Sequence, residues 1–149
     1  MKSLNEKRIL RVWSLIIYKK GKSKYKKGLP DLRFVPGSIK DPKGLLKVGE
    51  YNRYKNSVFI WWEKHTDSKD ITSTLLHEYT HYLQFWPWYI RYSNTHKYKE
   101  NPYEIEANES ERDTKYYIEQ TSDKNWGSLI SRKRDLARLY RKITSTITV

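Results

Sequence analysis

The chain contains no cysteine, a single methionine, few glycines and no long apolar run among its 149 residues. Without cysteine it can form neither disulfides nor a thiolate metal site, and it has no thiol nucleophile. No stretch approaches the roughly 20 consecutive apolar residues that a membrane-spanning helix needs. The first segment carries scattered charges and has no small-residue cleavage site of a secretory signal. We therefore predict a cytoplasmic protein.

The apolar residues are unusually rich in large aromatic side chains. Hydrophobic residues make up 37% of the chain, and they include 13 tyrosines and six tryptophans. Tyrosine and tryptophan bury large areas, but each needs a partner for its polar atom. A chain of this length suits one domain with its own core. We therefore predict a single domain over residues 1–149 with a modest aliphatic core.

The net charge of +13 is concentrated at the two ends. Residues 1–27 hold ten Lys or Arg and one acid (net +9), and residues 128–149 hold six and one (net +5). The remaining residues, 28–127, hold fourteen basic and fifteen acidic side chains (net −1). Basic ends suit a polyanionic partner such as nucleic acid. A solvated, soluble periphery explains the same charges, and both interpretations stay open.

Helical periodicity predicts a basic N-terminal helix over about residues 4–20 and a basic C-terminal helix over about 128–143. Between them, three segments have the β-branched and aromatic content of strands: "DLRFVP", "GLLKVGEYNRY" and "SVFIWWE". These helices and strands predict an α+β fold.

Two further helices are predicted in the second half of the chain. The first runs from about Ile71 to Trp86 and is stopped by Pro87. The second begins at Asn101-Pro102, with asparagine as N-cap and proline at the first helical position, and runs to about residue 120. The intervening "RYSNTHKYKE" is predicted to be a loop, and "TSDKNWG" is predicted to end the second helix.

The segment "TLLHEYTHYLQFWPW" contains the strongest functional motif, His77-Glu78-Tyr79-Thr80-His81. Helical positions four apart lie on one face, so His77 and His81 can direct ring nitrogens to one point. Glu78 is rotated off that line and can reach a water on a metal without ligating the metal. H-E-x-x-H on a helix is the signature of zinc hydrolases. Chance is the alternative, but the helix and the strand before it favour a metal site.

A catalytic zinc needs a third protein ligand and an open fourth position. The acids that follow the motif cluster in "NPYEIEANESERD", where Glu104 and Glu106 are the candidates. If Asn101 is the N-cap, Glu104 occupies the third helical position, where glutamate can close a capping box. Glu106 would then be the competing ligand. Glu109 and Glu111 are predicted to be solvated helix charges.

These motifs resemble those of the gluzincin class of zinc metallopeptidases. E-I-E-A-N is similar to the E-x-x-A-D of the prenyl-protease branch and to the E-x-E-A-N of small phage and mobile-element peptidases, and the resemblance covers about residues 46–120. It implies a zincin-like fold, with a small antiparallel or mixed sheet packed on the HExxH helix and a second helix that carries a ligand. It also implies zinc held by His77, His81 and Glu104, with Asn108 bracing the first histidine.

The resemblance further implies a zinc-dependent metallopeptidase that acts on proteins or peptides, in the host cytoplasm if phage-encoded, with Glu78 as general base. The transition state also needs a donor to the oxyanion. The candidate donors are Tyr92, His96, Tyr98, Tyr103, Tyr116 and Tyr117. The strand Ser57–Trp62 is predicted either to bind an extended peptide at a sheet edge or to be a core strand.

The alternative function is a basic nucleic-acid-associated protein, or a protease recruited to DNA, with a mainly structural metal site. The lysines and tyrosines of "KKGKSKYKKG" and "HKYKE" suit phosphate contact and base stacking. Glu78 discriminates between the two functions, because a structural site does not need a base beside an open coordination position.

Overall fold

A computed structural model describes residues 6–26, 28–37, 39–40, 46–61 and 67–146. Within these ranges the fold is mostly helical with a few short strands, which confirms the predicted α+β class. The strands are β1 (Asp31–Val35), β2 (Ile39–Lys40), β3 (Leu46–Lys47), β4 (Gly49–Asn52) and β5 (Ser57–Trp61). The helices are α1 (Glu6–Lys20), α2 (Ser68–Leu83), α3 (Trp86–Thr95), α4 (Pro102–Ser110), α5 (Thr114–Gln120), α6 (Asp123–Arg132) and α7 (Arg134–Thr146).

β5 is the central strand of a small mixed sheet with the order β1-β5-β4. β1 pairs with β5 in parallel, and β4 pairs with its other side in antiparallel orientation. Val58 and Ile60 on one face are fully buried, and Ser57 and Trp61 on the other face are also buried, which fits a central strand. The prediction that Ser57–Trp62 is a peptide-binding edge is therefore wrong, and the core-strand alternative describes β5. Trp62 itself lies outside the described residues.

The N-terminal helix α1 forms the middle of the core. Its apolar residues Ile9, Val12, Trp13, Ile16 and Ile17 are buried, and so are Leu10 and Leu15. The indole ring of Trp13 meets the ring of Tyr79 edge to face, with centroids 5.5 Å apart. α1 packs against α2, α5 and α7, so the basic ends of the chain are fixed to the helix that carries the histidines.

The HExxH helix α2 begins three residues earlier than predicted and ends before Pro87. The side chain of Asp67 caps it by accepting a hydrogen bond from the backbone N–H of Asp70 at 2.8 Å. Gln84 ends it, and Pro87 lies in the first turn of α3. The predicted loop is therefore wrong, since α3 and a 3-10 turn (Tyr98–Glu100) occupy most of that segment.

The second half of the chain contains more helix breaks than periodicity predicted. Asn101 caps α4 as expected, and its side chain accepts from the backbone N–H of Tyr103. A 3-10 turn (Glu111–Asp113) then separates α4 from α5. The predicted C-terminal helix is two helices, because Ser122 caps α6 and Lys133 separates it from α7. None of the helices in the described ranges is both long and apolar enough to cross a membrane.

Candidate metal centre

Three predicted ligands, His77, His81 and Glu104, converge at one point between α2 and α4. The Nε2 atoms of the two histidines lie 3.2 Å apart. Glu104 Oε1 lies 3.3 Å from His77 Nε2 and 3.2 Å from His81 Nε2. Glu104 is almost completely buried, whereas both histidines keep some exposure to solvent. The three donor atoms therefore form a nearly equilateral triangle that is accessible from the histidine side.

The size of this triangle fits a tetrahedral metal ion. Zinc–nitrogen and zinc–oxygen bonds of about 2.0–2.1 Å give a tetrahedron whose edges are about 3.3–3.4 Å. The observed separations of 3.2–3.3 Å match three vertices of that tetrahedron. Two imidazoles and one carboxylate are also a donor set that suits zinc. The residues present therefore fit a metal ion with three protein ligands and one open position.

His77 is held by Glu111, and the predicted brace from Asn108 is not formed. Glu111 Oε2 lies 3.1 Å from His77 Nδ1, so this nitrogen carries the proton that it donates to the carboxylate. Asn108 is exposed on α4. The prediction that Glu111 is merely a solvated charge is also wrong. The bond leaves His77 Nε2 facing the triangle, where it can bind a metal once it has lost its proton.

His81 is held by Gln84, which the sequence did not single out. The amide nitrogen of Gln84 donates to the carbonyl oxygen of Tyr103 at 2.9 Å and to Glu106 Oε1 at 2.8 Å. These two acceptors fix the amide orientation, so Gln84 Oε1 faces His81 Nδ1 at 2.8 Å and accepts its proton. His81 Nε2 is therefore also free to bind a metal. Glu106 takes part in this bracing network and does not reach the triangle.

Two tyrosine hydroxyls orient Glu104. Tyr89 donates a hydrogen bond to Oε2, and Tyr98 donates to Oε1 at 3.0 Å. The capping-box alternative for Glu104 is not formed, because the backbone N–H of Asn101 donates to the carbonyl oxygen of Tyr98. The carboxylate is therefore committed to the histidines and the hydroxyls.

The carboxylates around the two imidazoles favour a positive charge in the site. Burial opposes protonation of His77, but the hydrogen bonds that the imidazole donates to Glu104 and Glu111 outweigh it and raise the pKa of His77 to about 10. Burial raises the pKa of Glu104, but the two histidines outweigh that effect and hold it well below its usual range. Two protons or one metal ion can supply the positive charge, and a metal must displace the protons to bind.

Glu78 lies beside the triangle and is anchored to the edge strand β4. Its Oε1 accepts a hydrogen bond from the backbone N–H of Tyr51 at 2.9 Å. Burial raises the pKa of the Glu78 carboxyl, while the two histidines and the Tyr51 N–H act in the opposite direction. Oε2 is the carboxylate oxygen without this anchor. A buried carboxylate with a raised pKa is well suited to accept a proton.

Gly49 allows β4 to approach α2 closely at this anchor. A Cβ atom on Gly49 would lie 2.4 Å from Thr74 Cγ2 and 3.4 Å from Glu78 Cγ. Gly49→Ala is therefore expected to separate β4 from α2 and to lower the free energy of unfolding by about 1–3 kcal/mol, measured by urea denaturation. Gly127→Ala is the control, since its Cβ meets nothing within 4 Å and alanine favours helix. Equal stability of both variants with the wild type would contradict this packing.

Of the six candidates for an oxyanion donor, only Tyr98 contacts the site. Tyr92 packs its ring against His96 and Tyr103. Tyr117 is a core residue, and Tyr116 accepts a hydrogen bond from Lys19. Tyr89 was not among the predicted donors, and it lies between the predicted helix end at Trp86 and the predicted loop that begins at Arg91. The Trp86-Pro87 pair was the one local signal that a helix begins there.

Comparison with protein-family models, with curated proteins and with solved structures finds no match. An α+β fold with a small sheet hosts many unrelated functions, so the fold alone indicates no chemistry. Function is therefore inferred from the arrangement of the side chains in the site.

Proposed function

We propose that the protein is a zinc-dependent metallopeptidase of the zincin type. The observation that carries this proposal is the triangle of His77 Nε2, His81 Nε2 and Glu104 Oε1, with edges of 3.2–3.3 Å, beside the buried Glu78 carboxylate. Three ligands leave a tetrahedral ion one position for water or substrate. The adjacent carboxylate supplies the base that a purely structural site does not need.

In the proposed reaction Glu78 moves one proton. A zinc ion bound by the three ligands would polarise the substrate carbonyl and lower the pKa of the attacking water. Glu78 Oε1 stays bonded to the Tyr51 N–H, so Oε2 takes the proton of the water and delivers it to the leaving amine nitrogen. Tyr98, whose hydroxyl donates to Glu104 Oε1 at 3.0 Å, is the proposed donor to the oxyanion, which requires its single O–H to turn from Glu104 to the substrate.

The proposed substrate is an extended peptide aligned along β4. Among the described strands, β4 is paired only with β5, so its other edge is not paired with a strand. The Tyr51 N–H donates to Glu78 and not to β5. A peptide that adds to this edge would bring its scissile bond next to the base. The edge role predicted for the strand Ser57–Trp62 is thereby assigned to β4.

Metal content and hydrolysis together test the proposed function. The purified protein is expected to hold about one zinc per chain and to cleave an unfolded protein substrate. Chelation should abolish the cleavage and added zinc should restore it. His77→Ala and His81→Ala should lose the metal, whereas His96→Ala should keep it because that histidine is exposed outside the site. Full metal retention in both site variants, measured by elemental analysis, would refute the zinc site.

The exposed basic face of α7 favours the second candidate, a polyanion-binding function. Arg134, Arg138 and Arg141 are spaced four and three residues apart, so they share one helix face, and all three are exposed. Within the described residues, the ion pair at this face joins Arg138 to Asp135 at 3.7 Å between two highly exposed side chains, where it contributes little. This face is therefore available for phosphate contacts.

The protein is expected to bind a random 20-base-pair DNA duplex without sequence preference and to lose affinity steeply with salt. Replacing Arg134, Arg138 and Arg141 with glutamine should reduce the slope of log K against log[NaCl] by up to about 3, at roughly 0.9 per lost phosphate contact. Fluorescence anisotropy between about 50 and 300 mM NaCl measures this slope. The control is Lys115→Gln, an exposed lysine on α5. No binding at low salt would leave the solvated-periphery interpretation.

A further inference from the structure

Two cationic side chains, Lys26 and Arg53, lie next to β4, the strand that anchors Glu78. The Lys26 ammonium lies 5.9 Å from the ring centroid of Tyr51. Burial lowers the pKa of Lys26, and the nearby positive charge of Arg53 lowers it further. The charge of Arg53 therefore disfavours the charged form of Lys26.

Arg53 is positioned by aromatic rings and not by an acid. Its guanidinium carbon lies 4.8 Å from the ring centroid of Trp86 and 4.5 Å from that of Tyr54. Its Nη2 donates to the hydroxyl of Tyr54 at 3.1 Å. Its Nε is buried without a hydrogen-bond partner. Aromatic stacking holds the plane of a guanidinium but does not neutralise its charge.

No carboxylate pairs with Lys26 or Arg53 within the part of the chain that the structure describes. Arg11 provides the contrast, because it also lies over a tryptophan ring but forms an ion pair with Asp123 at 2.7 Å. Holding two partly buried cations together without a counter-ion is unfavourable for the folded protein. An anionic ligand would relieve this cost.

The cationic pair is linked to both sides of the candidate metal centre. On one side, Arg53 follows Tyr51 by two residues, and the Tyr51 N–H donates a hydrogen bond to Glu78, the proposed base. On the other side, the ring of Trp86 stacks on Tyr89 at 4.9 Å with an interplanar angle of 4°. The Tyr89 hydroxyl donates a hydrogen bond to Glu104, a proposed metal ligand. An extended peptide on β4 would therefore pass the guanidinium near its reacting bond.

We propose that Lys26 and Arg53 form a subsite for the acidic side chain of an aspartate or glutamate in the peptide substrate, with Arg53 as the specificity-determining residue. This inference rests on the proposed metallopeptidase function. The planar fork of arginine binds a carboxylate through two parallel N–H···O bonds, and the ammonium adds a second charge-assisted bond. The aromatic rings hold the fork in place before the substrate arrives, which reduces the entropic cost of binding.

A peptide library tests the subsite in the zinc-loaded Glu78→Gln protein, which should retain substrate without cutting it. The library contains random decapeptides with Asp, Glu, Asn and Gln at equal frequency, and retained peptides are sequenced by mass spectrometry. At one position Asp and Glu are expected to exceed Asn and Gln by about tenfold, the scale of a charge-assisted hydrogen bond. Adding Arg53→Gln to the Glu78→Gln protein should bring this ratio close to one. Adding Arg53→Lys instead should keep part of the acidic preference. Arg91→Gln is the matched control, because Arg91 also stacks on a tryptophan but is exposed on α3.

The outcomes separate the subsite from the peptidase. A ratio near one before the Arg53 substitution, or a ratio that Arg53→Gln leaves unchanged, overturns the subsite, as does retention of no peptide. The same library is then treated with the protein that keeps Glu78. Cleavage without an acidic preference overturns the subsite and leaves the metallopeptidase intact. Acidic enrichment that depends on Arg53, without any cleavage, overturns the metallopeptidase and supports the subsite.

Discussion

Glu104→Gln is expected to weaken zinc binding by roughly a hundredfold or more, whereas Glu106→Gln is expected to leave it nearly unchanged. Glu104 supplies the only carboxylate oxygen within 3.3 Å of both histidine Nε2 atoms in the described residues. The amide keeps the size of the side chain but removes the negative charge that faces the ion. Competition with a chromophoric zinc chelator at constant pH measures the two affinities.

Glu106→Gln is a closely matched control for this measurement. Glu106 lies two residues from Glu104 on α4, and its Oε1 accepts a hydrogen bond from the amide nitrogen of Gln84 at 2.8 Å. The carbonyl oxygen of a glutamine can accept the same bond, so the brace on His81 should persist. Loss of zinc from Glu106→Gln together with full binding by Glu104→Gln would reverse the assignment.

The parts of the site that the sequence predicted depend on local geometry. His77 and His81 share a face because they are four residues apart on one helix, whatever the rest of the chain does. The start of α4 at Asn101-Pro102 likewise depends on the capping amide and on a proline that lacks an N–H. The structure confirms both features, and both could be predicted because neither needs a long-range contact to form.

The residues that hold the histidines could not be predicted in the same way. Glu111 reaches His77 across 34 residues of sequence, from the start of the 3-10 turn that follows α4. A continuous helix from 101 to 120, as periodicity predicted, gives no reason to select Glu111 over Asn108. Gln84 was overlooked because a glutamine at a helix end is usually a solvated residue.

The errors in the sheet and in α3 have separate physical causes. Hydrophobic patterning identifies a strand but not the strands that pair with it. The segment Val58 to Trp61 is nevertheless apolar at every position, which is typical of a central strand. The proline at position 87 is compatible with two structures, because its missing N–H interrupts a helix interior but is tolerated in the first turn of a helix. Here Gln84 ends α2 before the proline, and Pro87 lies in the first turn of α3.

Glu78→Gln is expected to reduce peptide hydrolysis by about a hundredfold or more while leaving the fold and the bound zinc in place. The glutamine carbonyl oxygen can still accept the hydrogen bond from the Tyr51 N–H, so β4 should keep its position against α2. The amide cannot take a proton from water at neutral pH, so the reaction loses its base. Initial rates on one peptide substrate, with zinc content and thermal unfolding measured on the same samples, test the prediction.

Glu109→Gln controls for the loss of a negative charge alone, because Glu109 is exposed on α4. It should hydrolyse peptides at the wild-type rate. Glu78→Gln should lose little zinc affinity, because Glu78 lies outside the triangle of His77, His81 and Glu104. A variant that loses both zinc and activity would assign Glu78 to the metal and not to proton transfer. A zinc-loaded Glu78→Gln protein that cleaves as fast as the wild type would refute the general-base mechanism, since no other carboxylate in the described residues is both buried and adjacent to the three ligand atoms.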